Sequence, residues 1–347
     1  MKKITSLTFI LLLCTPIYST ITSCSKESSD GQKEIVDPVV PSKPENPSGG
    51  GSEPSTPPTP TEQQFVLQGS MQATSDLVGK DFNEIHKYMR TKGWDYSEHP
   101  NSSEDDHFNG IHCEVVYDSS ISQHVFKFTN HANAEVLDGD RGKLEDRQRN
   151  EMKSQTSSAW YKLNGNWDEW QKLEWKFRIP KGYQPSTSFC HIHQLKAQEG
   201  NNSSPVITIT LRSNSNGSNR RVQVIHTGDN SSTTKGTIID NLPLEDFEDQ
   251  WIQVTTQMHY THSGTFKIKM ERISDGKVLV EKSFSDIDMW RKAAISIRNK
   301  FGIYRSFGRK MESKSDRPTN GIKDETLQLA DFKAYERNTN PSPSAHD

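Results

Sequence analysis

One segment near the C-terminus places residues with chemically useful side chains on a single strand face. In an extended strand alternate side chains share a face. One face of the segment 296–305 carries two cations, a glycine and a phenol: Arg298, Lys300, Gly302 and Tyr304. The other face carries Ile297, Phe301 and Ile303, and Arg305 follows directly. The cations could bind an anion while the phenol moves a proton.

Two further segments show the same alternation. The segment 146–153 places four charged residues on one face: Arg147, Arg149, Glu151 and Lys153. In the segment 189–195, His191 and His193 are predicted to share a face, with Ile192 opposite. An exposed cationic face is usually only solvated, and two His one residue apart are also typical of half a metal site. Each segment taken alone leaves these interpretations open.

Short strands are the elements that would position these residues. Period-2 alternation marks Gly110–Tyr117, His124–Thr129, Leu173–Ile179, Val206–Leu211, Arg221–His226, Trp251–Met258, Thr265–Arg272, Lys277–Phe284, Ile295–Tyr304 and Leu327–Tyr335. Many short strands between polar turns predict an all-β fold, a two-sheet sandwich or jelly roll. One short helix precedes them, with Asp81 as its N-cap, apolar residues at helical spacing, and Gly93 at its end.

Composition limits the function classes. The chain has 347 residues, 31% of them hydrophobic, and its net charge of -3 argues against a dedicated nucleic-acid binder. The chain has one apolar run, at the N-terminus, which excludes a polytopic membrane protein. No second linker or internal repeat interrupts residues 64–340, which we predict to be a single β domain.

The N-terminal residues predict export. Lys2 and Lys3 precede an apolar run that is too short to span a membrane, and small residues follow before Cys24. This pattern resembles the lipobox of bacterial lipoproteins. It implies a signal peptide over 1–23 and a lipid on Cys24 that anchors the protein to a bacterial membrane, the outer membrane being expected. A plain secretory signal is the alternative.

Residues 24–63 are rich in Pro, Ser, Gly, Glu and Lys, which predicts a semi-extended tether. Residues 341–347 are predicted to be a disordered tail. Cys113 and Cys190 remain in the predicted domain, where they either form a disulfide or are two buried thiols.

Taken together, the three segments resemble the jelly-roll polysaccharide lyases, the alginate lyase and heparin lyase I families. Alginate lyases carry Arg-x-Glu-x-Arg, Gln-Ile-His and Lys-x-Gly-x-Tyr, and heparin lyase I carries a run nearly identical to Lys300-Phe-Gly-Ile-Tyr-Arg305. The resemblance spans about residues 105–337 and implies a concanavalin-like sandwich whose outer face binds a long glycan. It assigns the catalytic roles to Arg149, His193 and Tyr304. It assigns substrate binding to Arg147, Glu151, His191, Gln194, Arg298, Lys300 and Arg305.

The implied reaction is β-elimination in a chain of uronic acids, which begins with removal of the proton at C5. A guanidinium on the neighbouring carboxylate stabilises the enolate-like intermediate, and Arg149 is assigned that role, assisted by His191. Glu151 would hold Arg149 or Lys153 in place. Tyr304 would protonate the leaving O4 and act as base where both groups lie on one side. His193 would be the base on the opposite side.

We therefore expect a lyase acting on an acidic, uronate-containing polysaccharide, of glycosaminoglycan, glucuronan or alginate type. A non-catalytic glycan-binding lipoprotein of the same fold is the alternative. A hydrolase is disfavoured because no close carboxylate pair is visible. The scheme requires no cofactor and no metal ligand. Calcium is common in the heparin lyase branch and stays an open alternative. A monomer is expected.

Overall fold

The structure, a computed structural model, describes residues 64–100, 111–132, 138–140, 145–311, 316, 318 and 321–337. The predicted signal peptide, Cys24, the tether and the C-terminal tail lie outside the described residues. Among the described residues, no helix has both the length and the apolar character needed to cross a membrane.

The described residues form fifteen strands and one α-helix. The strands are β1 (Val66–Met71), β2 (Trp94–Glu98), β3 (Cys113–Asp118), β4 (Gln123–Asn130), β5 (Arg147–Ser154), β6 (Trp170–Arg178), β7 (Cys190–Gln198), β8 (Ile207–Arg212), β9 (Arg221–His226), β10 (Gly236–Pro243), β11 (Ile252–His259), β12 (Gly264–Arg272), β13 (Val278–Ile287), β14 (Ser296–Ser306) and β15 (Glu325–Arg337). The helix is α1 (Phe82–Thr91). Strands β1, β2 and β10 were not predicted, since their sequences lack a sustained alternation.

The predicted N-terminal helix is confirmed. The Asp81 side chain accepts a hydrogen bond from the backbone N–H of Glu84 at 3.0 Å, so it caps the first turn. Ile85 and Met89 are fully buried on the face that packs against the core. Gly93 follows with a φ of 86°, a conformation that suits glycine and ends the helix.

Two antiparallel sheets make up the domain. The first has eight strands in the order β13-β12-β11-β6-β15-β4-β3, with β1 also paired to β15. The second has seven strands in the order β10-β9-β8-β7-β14-β5-β2. This architecture confirms the all-β, two-sheet jelly-roll prediction. It also places β5, β14 and β7, the three segments with unusual polar faces, side by side.

Aromatic side chains join the inner faces of the two sheets. Trp175 of β6 lies 5.0 Å from Phe301 of β14, ring centroid to ring centroid, and Trp94 of β2 lies 5.6 Å from Phe332 of β15. Each such buried ring contributes on the order of 1.5–3 kcal/mol to folding. Because Phe301 is fixed in this core, the alternate residues of β14 must face outward.

Cys113 and Cys190 are both buried free thiols. Of the two interpretations left open by the sequence, the disulfide is therefore excluded. Burial raises the pKa of Cys190 to about 11, so its thiol is not poised to react at neutral pH.

A bulge at Gly302 breaks the regular pairing of the second sheet. Phe301 pairs with His193 and Tyr304 pairs with His191, so two residues of β14 oppose a single residue of β7. Gly302 has a φ of 143°, which other residues rarely adopt. The bulge shifts the alternation of β7 by one residue relative to β14.

Gly302→Ala is expected to destabilise the domain by about 3 kcal/mol or more, through backbone strain and overpacking together. A Cβ at this position would lie 2.1 Å from the carbonyl oxygen of Asn150 on β5. Gly276→Ala is the matched control, because Gly276 also has a positive φ of 68° but a Cβ there would meet no atom within 4 Å. Urea unfolding of both variants measures the difference; equal losses would contradict the close approach at Gly302.

Candidate active site

Three residues lie in one row across β5, β14 and β7. Tyr304 pairs directly with Arg149 on one side and with His191 on the other. Residues paired in this way present their side chains on the same face of a sheet. A guanidinium, a phenol and an imidazole therefore meet on the outer face of the second sheet, which we call the polar face.

Cations surround the phenol of Tyr304. Arg147 donates a hydrogen bond from Nη1 to the Tyr304 hydroxyl at 2.8 Å. The guanidinium carbon of Arg149 lies 3.9 Å from the centroid of the Tyr304 ring, a cation–π contact. Phe189 lies 5.1 Å away and His191 5.9 Å away, centroid to centroid. These contacts fix the ring and place a charged donor on its oxygen.

Two carboxylates hold Arg149 in place. Its Nη1 donates to Glu98 Oε2 at 2.9 Å, and its Nη2 donates to Asp140 Oδ2 at 3.1 Å. The backbone N–H of Arg149 also donates to the carbonyl of Gly139, so the segment before β5 is tied to the strand. Neither acid was predicted from the sequence. Glu98 lies 51 residues before Arg149 along the chain and reaches it only through the fold, whereas Asp140 lies nine residues before it, outside the alternating segment.

Glu98 is the ionic centre of the site. Its carboxylate also accepts hydrogen bonds from Lys153, at 3.1 Å, and from Lys300. Burial opposes its ionisation, but Lys300, Lys153 and Arg149 together hold its pKa well below the ordinary value. The end of β2 therefore delivers a carboxylate that keeps three cations of the polar face close together.

Glu151 lies on the polar face, as the alternation predicts. Its Oε1 accepts a hydrogen bond from Gln194 Nε2 at 2.5 Å, and its Oε2 lies 3.2 Å from Lys300 Nζ. Arg149 Nε is farther away, at 4.0 Å. Glu151 thus contacts Lys300 and Gln194 more closely than Arg149, and Lys153 pairs with Glu98 instead.

His193 does not face this site, contrary to the prediction that it shares a face with His191. It is 1% exposed, and its ring stacks on Phe301 at 4.5 Å and lies 5.4 Å from Trp175, inside the core. The irregular pairing of β7 is the cause: its register shifts against β14 between Phe301 and Tyr304 and against β8 between His191 and His193, so His193 points inward. Burial lowers the pKa of His193 to about 3, so it stays neutral. A base inside the core cannot reach a substrate on the outer face.

His191 is the imidazole that the fold brings to Tyr304. It is partly exposed and stacks on Phe189 at 5.0 Å. Burial, followed by the charges of Arg212, Lys300 and Arg149, lowers its pKa to about 3. It is therefore neutral at neutral pH, the state that a general base requires.

Arg305 was expected to bind substrate, and the structure places it on the other face. It is fully buried. Its Nε donates to Gln148 Oε1, and its Nη2 donates to the carbonyl oxygen of Lys323 at 2.6 Å. The residue next to Tyr304 on a strand must point the opposite way, so Arg305 supports the sandwich from inside and is not a substrate contact.

The other predicted site residues share the polar face. Those brought together around Tyr304 are Arg147, Arg149, Glu151, His191, Gln194 and Lys300. Arg298 lies on the same face but six residues along β14, about 20 Å away.

One group within the described residues has metal-ligand character. His112, His131 and Asp138 place ligand atoms within 4.8 Å of one another. His112 Nε2 lies 2.8 Å from Asp138 Oδ1, and His131 Nδ1 lies 3.2 Å from Oδ2. Calcium prefers six to eight oxygen ligands, so two imidazoles and one carboxylate do not fit it. The group instead holds Asp138 in place beside Gly139, which binds the backbone of Arg149.

Glu98→Gln is expected to destabilise the protein by about 3 kcal/mol at neutral pH, because it leaves three cations without their shared carboxylate. Since folding lowers the pKa of Glu98, its contribution is present above the ordinary value of 4.5 and is lost as the pH falls below it. Chemical unfolding at several pH values checks this. The difference between wild type and variant must shrink toward acid pH; a difference that is constant or grows there would contradict the assignment.

Sequence comparison and structural comparison give different results for this chain. No protein-family model and no curated protein sequence matches it. Among solved structures, an endo-β-1,4-glucuronan lyase from the fungus Trichoderma reesei is similar at 15% identity and a TM-score of 0.43, over 72% of this chain and 94% of that one. An alginate lyase from Pseudomonas aeruginosa is similar at 14% identity and a TM-score of 0.38, over 64% and 86% of the two chains.

Proposed function

We propose that the protein is a polysaccharide lyase that cleaves a uronate-containing acidic polysaccharide by β-elimination. The single observation that carries the proposal is the row formed by Arg149, Tyr304 and His191, with the Tyr304 hydroxyl hydrogen-bonded to Arg147. A face that only binds glycan has no need for a phenol set between two guanidinium groups and a neutral imidazole.

Tyr304 acts as the general acid in this scheme. Proton donation to the leaving O4 produces a phenolate oxygen, and Arg147, 2.8 Å away, is a charged donor that stabilises it. The guanidinium over the ring adds a second favourable charge. Both interactions strengthen as negative charge develops, which is the condition for lowering the barrier.

Arg149 stabilises the enolate-like intermediate. Asp140 and Glu98 hold its guanidinium in a fixed position, so no reorganisation is needed when charge builds up on a sugar carboxylate beside Tyr304. Gln194, which is held by Glu151, adds an amide donor on the same face, opposite Lys300.

The base is assigned to this same row. Where the C5 proton and O4 lie on one side of the sugar, Tyr304 serves as both base and acid. Where they lie on opposite sides, His191 takes the role that the resemblance assigned to His193, because His191 is neutral and lies on the polar face. None of these steps requires a cofactor.

A panel of polyuronates tests the proposal. Elimination leaves a C4–C5 double bond conjugated to the carboxylate, so ultraviolet absorbance must rise when purified protein is mixed with the correct polymer. Binding without such a rise, across glucuronan, alginate and glycosaminoglycans, would favour the glycan-binding alternative and refute the lyase.

Location and assembly stay predictions. The lipid anchor on Cys24, attachment to the bacterial outer membrane and the monomeric state rest on the sequence alone. The proposed partner is the acidic polysaccharide.

A further inference from the structure

The guanidinium of Arg147 is held by the residue directly before it. Its Nε donates a hydrogen bond to Asp146 Oδ1 at 2.6 Å, and its Nη2 donates to Asp146 Oδ2 at 2.8 Å. In such a bidentate pair the two carboxylate oxygens fix the plane of the guanidinium. The third nitrogen, Nη1, donates to the Tyr304 hydroxyl at 2.8 Å. The position of the Asp146 carboxylate therefore determines where the Nη1 donor points.

The backbone of Asp146 is tied to the strand that carries Tyr304. Its carbonyl oxygen accepts a hydrogen bond from the backbone N–H of Phe307 at 2.8 Å and another from the Ser306 hydroxyl at 3.5 Å. Phe307 is fully buried, so its backbone is a rigid anchor. The carboxylate that holds Arg147 thus has a fixed position relative to Tyr304, one residue before β5 begins.

Stabilisation of the fold does not account for this pair. The side chains of Arg147 and Asp146 are 36% and 42% exposed, and ion pairs this exposed contribute little to stability. The hydrogen bond from Arg147 lowers the pKa of the Asp146 carboxyl, so the pair stays ionised at neutral pH. The Tyr304 ring already has Arg149 and Phe189 against it. What the pair adds is the direction of one donor on the Tyr304 oxygen.

That donor also directs the hydroxyl proton of Tyr304. A phenol oxygen that accepts a hydrogen bond has a lone pair on that side, so its own proton must point away from the donor. With Arg147 fixed on one side of the oxygen, the O–H bond is turned away from the guanidinium and is free to meet a sugar oxygen.

We infer that Asp146 is a positioning residue for the proposed elimination, which holds Arg147 so that Nη1 stays on the Tyr304 oxygen and the O–H group points toward the leaving O4. This inference rests on the proposed function for the identity of the acid. Asp146 acts only through Arg147. When Tyr304 gives its proton to O4, negative charge develops on the phenol oxygen, and a donor that is already in place needs no reorganisation.

A double-mutant cycle tests this role. Asp146→Asn keeps the size of the side chain but cannot accept both donors of Arg147. It should lower kcat about tenfold, the scale of one charge-assisted hydrogen bond, and change KM less than about twofold. In an Arg147→Gln background the same substitution should change kcat less than about twofold, because the group through which it acts is gone. Asp146→Glu restores the carboxylate and should recover part of the rate. Equal losses in both backgrounds, or no recovery with Asp146→Glu, would overturn the inference.

Nuclear magnetic resonance tests the same coupling without substrate. The full chain is labelled with carbon-13 at tyrosine Cζ, and the signal that is absent from Tyr304→Phe is assigned to Tyr304. Asp146→Asn and Arg147→Gln should both move this signal in the same direction, and the double variant should move it no further than Arg147→Gln. A signal that Asp146→Asn leaves in place would overturn the inference. Shifts as expected in a protein that cuts none of the polymers would refute the lyase alone.

The matched control is Asp275→Asn. Asp275 accepts a similar bidentate pair from Arg272 at the turn between β12 and β13 of the other sheet, with Nε to Oδ1 at 3.1 Å and Nη2 to Oδ2. This variant should leave both kcat and the Tyr304 signal as in wild type. An effect of Asp146→Asn no larger than that of the control would show a general charge effect and contradict positioning.

Discussion

Tyr304→Phe should lower kcat by about 100- to 10,000-fold, the range that positioned acid–base groups contribute. The variant loses only the hydroxyl that accepts a hydrogen bond from Arg147, while the ring keeps its place against Arg149. KM should change little, because the cations that bind the polymer remain. Initial rates of double-bond formation on the best polymer of the panel measure the effect.

Tyr335→Phe is the control for this substitution. Its hydroxyl donates to Glu174 at 2.9 Å on the other sheet, so the same atom is removed from a comparable hydrogen bond far from the site. Activity of this variant should match wild type. If Tyr304→Phe retained activity within a few-fold of wild type while folding normally, Tyr304 would not be the acid.

Arg149→Ala is expected to reduce kcat/KM by more than about 1,000-fold, beyond the loss of a single oxyanion donor, because a full positive charge disappears. The substitution also leaves Glu98 and Asp140 without their shared partner, so stability must be measured alongside activity. Arg149→Lys keeps the charge but cannot bind both acids in the same planar geometry. It should therefore fold well and still lose about 100-fold.

Arg178→Ala provides the comparison for a lost surface guanidinium. Arg178 donates to Asp118 at 2.8 Å on the first sheet, away from the polar face. It should reduce stability slightly and leave kcat/KM near wild type. Near-wild-type turnover by folded Arg149→Lys and Arg149→Ala would remove Arg149 from the mechanism.

The alternation of side chains along a strand predicted the centre of the site from the sequence. The alternation in 296–305 and 146–153 correctly places Tyr304 and Arg149 on one face, because both strands are regular where they pair with each other. By the same alternation Arg305 faces the core, and it was the resemblance to the lyase motif that had suggested a substrate contact. The all-β fold likewise follows from local patterns that most of the strands obey.

The alternation of side chains could not show that His191 lies on the polar face while His193 lies in the core. It assumes regular pairing between strands, and the bulge between β14 and β7 breaks that pairing. A glycine inside a strand is a signal of such a bulge, so Gly302 was the residue that pointed to it. Glu98 and Asp140 had no local signal, since their roles depend on β2 and the segment before β5 meeting Arg149 in three dimensions.

Solvent labelling tests the central claim most directly. The polymer identified by the panel is digested by wild-type protein in water enriched in oxygen-18, and the products are weighed by mass spectrometry. Elimination adds no water, so we expect products with an unsaturated non-reducing end and no label from solvent. Saturated products that carry the heavy oxygen would show hydrolysis and contradict the assignment of Tyr304, Arg149 and His191 to β-elimination.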